Sequence, residues 1–422
     1  MSERDSEQDR PEELSVSVAI VGAGQAGLSM SWLLTDRGIQ HVVLEAATTT
    51  HEWSESRWDS FTLVTPNWQC QLPGWSYEGP DPHGFMTGKE VVAWLEEYAA
   101  SFDPPVREHH RVLGLSERDG GGFLLTVAGP AGPLLVSADH VVVATGGYHL
   151  PIIPAYAERI PLGINQIHSS QYRSAGQLPE GAVLVVGTGQ SGAQIAEDLH
   201  LEGRQVHLAV GDAPRCARFH RGRDSLDWLS EMGLYDTPVM QYPGGIAARE
   251  KTNHYMTGRD GGRDIDLRVF ASEGMRLYGR LSGATPTALT FDPTLAASLD
   301  AADRTFLSIR ADIDRYIERE NLDAPPATPW EPVWSPTSEP RELDLVAEGV
   351  TSVVWAIGYR PDYRWVKVGV FDGEGRPTHS RGVTAVPGLS FLGLPWQYTW
   401  GSGRFAGVAR DAAYLVEQIL AS

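Results

Sequence analysis

Cysteine is nearly missing from this chain: 422 residues contain two, Cys70 and Cys216, far apart and outside any Cys-x-x-Cys pair. That spacing excludes a disulfide framework and a thiolate zinc site, so no metal is expected, and it suits a reducing cytoplasm. Positive charge is also scarce. Lys and Arg total 34 against 54 Asp and Glu, a formal net charge of -20. Such a surface repels a phosphate backbone and removes nucleic acid as a partner, though a local basic cluster can still hold one phosphate. No uncharged apolar run approaches the ~20 residues that cross a bilayer, so no membrane partner is expected. The polar, acidic first dozen residues have neither signal-peptide nor transit character. These absences together predict a cytoplasmic protein, and the length exceeds what one core usually serves, so two domains are expected.

What the chain does have is glycine in a pattern. From Leu14, the residues Val16, Val18, Ile20 and Val21 make a short β-branched strand that ends in Gly22-Ala23-Gly24-Gln25-Ala26-Gly27. A helical stretch through Leu28, Met30, Leu33 and Leu34 follows and stops at Gly38. Val42-Val43-Leu44 then forms a second strand with Glu45 at its end. This is a complete strand–turn–helix–strand fingerprint for a dinucleotide. Gly22 permits the tight turn, Gly24 lets the backbone approach a diphosphate, and Gly27 lets helix and strand pack closely. The helix N-terminus offers free N–H groups and the positive end of its dipole to the same diphosphate. Glu45 is placed to accept hydrogen bonds from ribose hydroxyls.

The unit then recurs. Val183 to Val186 lead into Gly187-Thr188-Gly189-Gln190-Ser191-Gly192 and a helix through Ile195 and Leu199 that stops at Gly203. Four glycines repeat at one constant offset, so the same unit is present twice. The second copy lacks the acid: the position of Glu45 falls on Val210, with Gly211 beside it. Arg215, Arg218, Arg221 and Arg223 follow. A missing acid with arginine nearby is what a 2′-phosphate requires, so NADPH is expected at the second unit through Arg215, with Asp212 as an opposing charge. Two dinucleotides in one chain serve a hydride donor and a bound redox ring that receives it, which assigns FAD to the first unit.

The expected fold class is α/β, with two Rossmann-like dinucleotide-binding domains and the NADPH domain inserted into a discontinuous FAD domain. The strand Val141 to Val143, followed by Ala144-Thr145-Gly146-Gly147, is read as the exit from the FAD domain. Val353 to Gly358 echoes it and is read as the return. The boundaries expected are a disordered tail at 1–13, FAD-domain residues 14–164 and 341–422, and an NADPH domain at 165–340. Leu295 to Glu320 reads as a long amphipathic helix without chemistry, and Thr87 with Glu90 as a capping box. Trp53, Trp58, Phe61, Trp68, Trp75 and Tyr77 suit a wall for the isoalloxazine ring and a substrate. An apolar strand at Leu389 to Leu394 precedes Trp396, Trp400 and Ser402. The final helix, from about Arg404, would aim its N-terminus at the flavin.

With these motifs in view, the chain resembles the single-component flavin-containing monooxygenases, and within them the bacterial CzcO-like branch often encoded beside a nitrilase. The likeness rests on the two glycine units, on Arg57-Trp58-Asp59-Ser60-Phe61-Thr62-Leu63-Val64-Thr65-Pro66-Asn67, on Leu72-Pro73-Gly74 and on His168-Ser169-Ser170-Gln171-Tyr172. The superfamily's linking signature is Phe-x-Gly-x-x-x-His-x-x-x-Phe/Tyr. His168 and Tyr172 match it, whereas Leu162 and Ile164 replace its first two residues and Gly163 stands one place early. Tyr172 also separates the chain from the Baeyer–Villiger branch, whose signature ends in Trp.

The resemblance implies that NADPH reduces FAD, that O2 is captured as a C4a-hydroperoxide, and that oxygen passes to a small nucleophile containing nitrogen or sulfur. It implies Asn67 as the residue at the hydroperoxide and His168 as a linker residue. Arg57 and Thr65 join Trp53, Trp58, Thr145, Gly146, Trp396, Trp400 and Ser402 on the flavin side, with Gln25 and Ala26 in its loop. Gln190 and Ser191 complete the nicotinamide loop. The partners expected are a small-molecule substrate and O2, and a homo-oligomer is allowed. Three other uses of the same two units remain: a flavin disulfide reductase, an NADPH oxidase releasing hydrogen peroxide, and a non-catalytic redox sensor.

Overall fold

The computed structural model describes residues 11–250 and 252–421. The first β-branched run folds as the strand Glu12–Val21, at the middle of a seven-stranded sheet. It pairs in parallel with His41–Leu44 on one side and with Gly132–Val143 on the other, and Val106–Arg107 extends the His41–Leu44 edge. Gly132–Val143 is long enough to serve two neighbours. Its first half pairs antiparallel with Phe123–Gly129, and its end pairs in parallel with the late strand Leu389–Phe391. Alternation then divides the core. Val18 and Ile20 face the helices Gln25–Asp36 and Phe405–Leu420, while Ala19 and Val21 join Leu125, Val366 and Phe391 on the opposite face.

A second sheet is wholly parallel, in the order Asn165–His168, Val350–Trp355, Ala182–Val186, Val206–Ala209, Arg276–Tyr278. Its helix Gln190–Leu201 covers one face, and a three-stranded antiparallel sheet of Leu281–Ala284, Ala288–Phe291 and Glu342–Asp344 packs on the other. The amphipathic run folds as the helix Leu295–Glu320, burying Leu295, Leu299, Phe306, Ile313 and Ile317. The Thr87–Glu90 capping box is present at the start of Gly88–Ala100.

Two readings of the sequence need correction. Val350–Trp355 does not mark the return to the first sheet; it is a central strand of the second. It and Gly132–Val143 look alike because they do the same job in each unit: Ala144 follows one beside Gly22, and Ala356 follows the other beside Gly187. The chain returns only afterwards, where Tyr359–Arg360 pairs antiparallel with the outgoing Leu150–Pro151. The boundary expected at 341 therefore lies too early. As for the tail expected at 1–13, residues 1–10 are outside the described residues, and Glu12 and Glu13 already belong to the first strand.

The glycine loops fold as one geometry used twice. Gly22 and Gly187 have φ of 107° and 102°, in the region that favours glycine. A Cβ on either would stand 2.6 Å from a carbonyl oxygen, of Ala144 or of Ala356. A Cβ on Gly27 or Gly192 would run into the carbonyl oxygen of Gly22 or Gly187, whereas one on Gly24 or Gly189 would meet nothing. Gly27→Ala and Gly192→Ala are each expected to cost about 1–3 kcal/mol through overpacking, seen as a lower thermal midpoint, while Gly24→Ala leaves the midpoint of the cofactor-free protein in place.

Candidate functional site

The first loop presents an uncapped helix end. Gly24 is the N-cap of Gln25–Asp36 and no side chain satisfies its first turn, which leaves N–H groups and dipole for an anion. Glu45 closes over the loop, accepting from the Ala23 N–H at 2.8 Å and the Ala47 N–H at 2.8 Å. On the far side, Thr145 Oγ1 is buried without a hydrogen-bond partner. An open diphosphate space at Gly24, a carboxylate at the end of the second strand and an orphaned hydroxyl at Thr145 suit a dinucleotide.

Gln25 ties this loop to the end of the chain. Its Nε2 donates to the Gly403 carbonyl at 3.2 Å, and its Oε1 accepts from Trp53 Nε1 at 3.0 Å. Trp53 in turn stacks on Phe405, with ring centroids 5.4 Å apart. A Cβ on Gly393 would lie 2.9 Å from Ala26. The N-terminus of the last helix therefore sits beside the first loop, and Ser402 braces the turn before it by accepting from the N–H groups of Tyr398 and Thr399 at 3.0 and 3.1 Å. The Arg57 guanidinium lies over Trp53 and Phe61, 5.1 and 5.5 Å from their centroids. Trp58 is buried edge-on against Phe61 and faces the second unit, beside Ser60, Gln194, Glu197 and Arg259. Gly146 accepts from the Tyr363 hydroxyl at 3.3 Å. Thr65 is half-buried ahead of Asn67.

Asn67 has a structural task of its own. It is 4% exposed, its Nδ2 donates to the Asp81 carbonyl at 3.0 Å, and its Oδ1 accepts from the Met86 N–H at 2.7 Å. One N–H and the oxygen of the amide are committed to the backbone of the following loop, so the side chain fastens that loop, and the second Nδ2 N–H is left over.

The second loop repeats the cradle without the charge. Gly189 caps Gln190–Leu201 with no side-chain bond, and Ser191 is half-buried at the helix start. Gln190 and Gln194 both donate to the Met256 carbonyl, Gln194 at 2.9 Å. Val210 is buried in the place of Glu45. The tie between loop and strand is kept in neutral form, by Thr188 Oγ1 accepting from the Gly211 N–H at 3.0 Å. A carboxylate there would repel a 2′-phosphate; a hydroxyl does not.

Arg215 does not serve that site. It is 2% exposed, with Nη1 2.6 Å from Asp266 and Nε 3.2 Å from Asp303, and its guanidinium lies over Phe306 and Trp330. Arg218 is buried on Asp224, Arg221 pairs with Asp314, and Arg223 pairs with Glu231. The basic cluster is a set of internal ion pairs. An exposed cation at the C-terminal edge of this sheet is Arg280, which pairs with Asp212 two residues beyond Val210.

Between the loops lies a polar knot that sequence reasoning passed over. Asp198, on the second helix, is 4% exposed. It accepts from Ser60 of the first unit, from the Tyr172 hydroxyl at 2.6 Å and from Arg259 at 2.6 Å. Burial first, and then the bond to Asp198, raises the Tyr172 phenol and keeps it a donor. His168 is fixed nearby: Nδ1 accepts from the Ser170 N–H at 3.2 Å, and Nε2 donates to the Gly358 carbonyl at 3.2 Å. Burial lowers its pKa, so the ring is a neutral brace. The available signal was the run Gln194, Glu197 and Asp198, polar residues on a helix whose buried stripe also holds Ile195 and Leu199.

Two substitutions separate structure from chemistry. Asn67→Ala orphans the Met86 N–H and is expected to cost about 1–3 kcal/mol. Arg215→Ala takes from Asp266 its ion pair, leaves Asp303 to Arg268 alone, and is expected to cost about 3–5 kcal/mol. Both are read from urea denaturation.

The sequence pattern of a family described as pyridine nucleotide-disulphide oxidoreductase matches residues 19–229. A CzcO-like oxidoreductase of Geobacillus kaustophilus is 32% identical over 407 residues, covering 96% of this chain and 98% of its own. An indole-3-pyruvate monooxygenase of Arabidopsis thaliana is 30% identical over 198 residues, 46% of this chain and 47% of its own. Among solved structures, a flavin-containing monooxygenase from Stenotrophomonas maltophilia shares the fold with a TM-score of 0.64 at 21% identity, over 97% of this chain and 99% of that one. The chain belongs to the pyridine nucleotide-disulphide oxidoreductase family and is an oxidoreductase.

Proposed function

We propose that this enzyme is a monooxygenase that holds FAD in the Gly22–Gly27 cradle and NADPH in the Gly187–Gly192 cradle, and transfers one oxygen atom of O2 to a small nitrogen- or sulfur-containing nucleophile. The other oxygen leaves as water, with NADPH supplying the two electrons. The observation that carries the reading is the pair of cradles built on the same glycine backbone but with different strand-end ties: Glu45 accepts from its loop, and Val210 with Thr188 replaces that acid by a neutral tie. The first suits ribose hydroxyls and the second a 2′-phosphate. FAD, reduced by NADPH, supplies the oxygen chemistry.

The chain's own residues bind, orient and exclude water. The last helix brings its N-terminus to the first cradle through Gln25 and Trp53, where positive potential favours a reduced, anionic ring. The knot at Asp198 fixes the second cradle against Ser60 of the first unit. Disulfide reduction, which the family description also suggests, is disfavoured. Cys70 and Cys216 are both buried, and burial pushes both thiols up to about 12, far from the low values that make a thiolate nucleophile. The monooxygenase name of the Arabidopsis relative supports oxygen transfer.

Turnover under labelled O2 tests this, with amines, oximes and thioethers as candidate substrates. The expected result is one labelled oxygen in the product per NADPH consumed. Stoichiometric hydrogen peroxide with every candidate and no labelled product would return the chain to the oxidase reading. For the second cradle, Arg280→Ala is expected to raise KM for NADPH about tenfold, the worth of one charge-assisted bond, and to leave KM for NADH nearly unchanged. Equal effects on both would remove Arg280 from the 2′-phosphate.

A further inference from the structure

Resting on the first cradle as the flavin site, we infer that the place where Tyr235, Arg249 and Asn253 meet Trp396, Trp400 and Arg404 is a substrate subsite for a carboxylate, carried on a small apolar or aromatic body.

Arg404 is the N-cap residue of the sixteen-residue helix Phe405–Leu420, and no side chain caps the first turn of that helix. Its neighbours are fixed by the first cradle: Gly403 accepts from Gln25, and Phe405 stacks on Trp53. The guanidinium lies over the Trp400 ring, 4.5 Å from the centroid, and donates to Asn253 Oδ1 at 2.8 Å. Among the described residues it has no ion pair with a carboxylate. In a chain carrying a net charge of -20, where Arg215, Arg218, Arg221 and Arg223 are all matched to acids, a half-buried arginine bonded to a neutral amide is conspicuous. Desolvating a cation costs free energy until an anion meets it.

Independent polar atoms point to the same place. Tyr235 is 5% exposed and Gln69 1%; the phenol and the amide lie against each other and the phenol against Arg404, none of the Tyr235 and Gln69 contacts reaching full hydrogen-bond geometry. Tyr235 packs on Trp400, with centroids 4.7 Å apart. Burial raises the Tyr235 phenol, and the Arg404 guanidinium and the Gln69 amide pull it back, so the three groups converge. A second cation lines the same loop. Arg249 donates only to carbonyls, Trp396 at 3.1 Å and Gln397 at 3.4 Å, and has no ion pair among the described residues. Trp396, whose carbonyl it holds, is a non-glycine residue at φ 52°, a backbone state that persists where surroundings enforce it and that clusters at ligand sites. Burial holds His254 down at about 4, with Arg404 adding to the effect, so that ring brings no charge of its own. Arginine, phenol, amide and helix end offer donors to a planar carboxylate, while Trp396, Trp400 and Tyr242 provide the apolar wall.

The probes are (phenylthio)acetate and its methyl ester, which share a ring and a sulfur and differ in one charge. They are titrated into the FAD-loaded enzyme, with flavin absorbance reporting binding and no turnover required. The wild type is expected to bind the acid at least about tenfold tighter than the ester, the worth of one charge-assisted bond. Arg404→Gln is expected to bring that ratio to near one, Arg404→Lys to keep part of it, and Tyr235→Phe to lower it by a smaller factor. KM for NADPH in Arg404→Gln should match the wild type. A wild-type ratio near one, or no binding of the acid, overturns the proposal without reference to any variant. A raised KM for NADPH with an unchanged acid-to-ester ratio also overturns it and assigns Arg404 to a dinucleotide phosphate. Tight acid binding, together with hydrogen peroxide and no labelled product from every candidate substrate, would uphold the subsite while refuting the monooxygenase reading.

Discussion

The architecture depends on one close approach, made twice: a helix backbone laid against a turn carbonyl with no room for a methyl group. Gly27 over Gly22 and Gly192 over Gly187 draw each helix onto its strand, and that closeness aims free N–H groups at the space beyond Gly24 and Gly189. The β-branched runs before each loop, the small residues Ala144 and Ala356 on the neighbouring strands, and the glycines that stop the helices all serve the same contact. Two cradles made this way are alike in backbone, so side chains at the strand ends are left to tell them apart.

That distinction is made with little material. Glu45 and Thr188 both tie loop to strand, one through a carboxylate and the other through a hydroxyl, and the exchange removes a negative charge while the hydrogen bond stays. Elsewhere the chain handles charge by internal pairing. Asp266, Asp303, Asp224 and Asp314 absorb the arginines that follow the second unit, and Asp198 gathers donors from three segments where the units meet.

What could be read in advance was whatever repeats locally. The glycine spacing, the alternating strands, the long amphipathic helix and the Thr87–Glu90 box involve neighbours within about one turn or one strand–helix unit, and each was legible from residue order. Arg215 was misread because a string of letters shows a charge without its partner: Asp266 and Asp303 lie far along the chain. The loop-fastening role of Asn67 was hidden for the same reason, since its two backbone partners come from a loop that folds back over it. Val350–Trp355 was placed in the wrong sheet because sequence carries the character of a buried parallel strand but not the address of its neighbours. The polar residues around Arg404 gave no signal at all; Gln69, Tyr235 and Arg404 meet only through the fold.

The paired crossings have a mechanical consequence. Leu150–Pro151 and Tyr359–Arg360 bond to each other, so the two covalent connections form a single narrow ribbon instead of two separate tethers. A ribbon bends readily across its flat face and resists shear in its plane. The outgoing and the returning chain therefore constrain each other where the two units join.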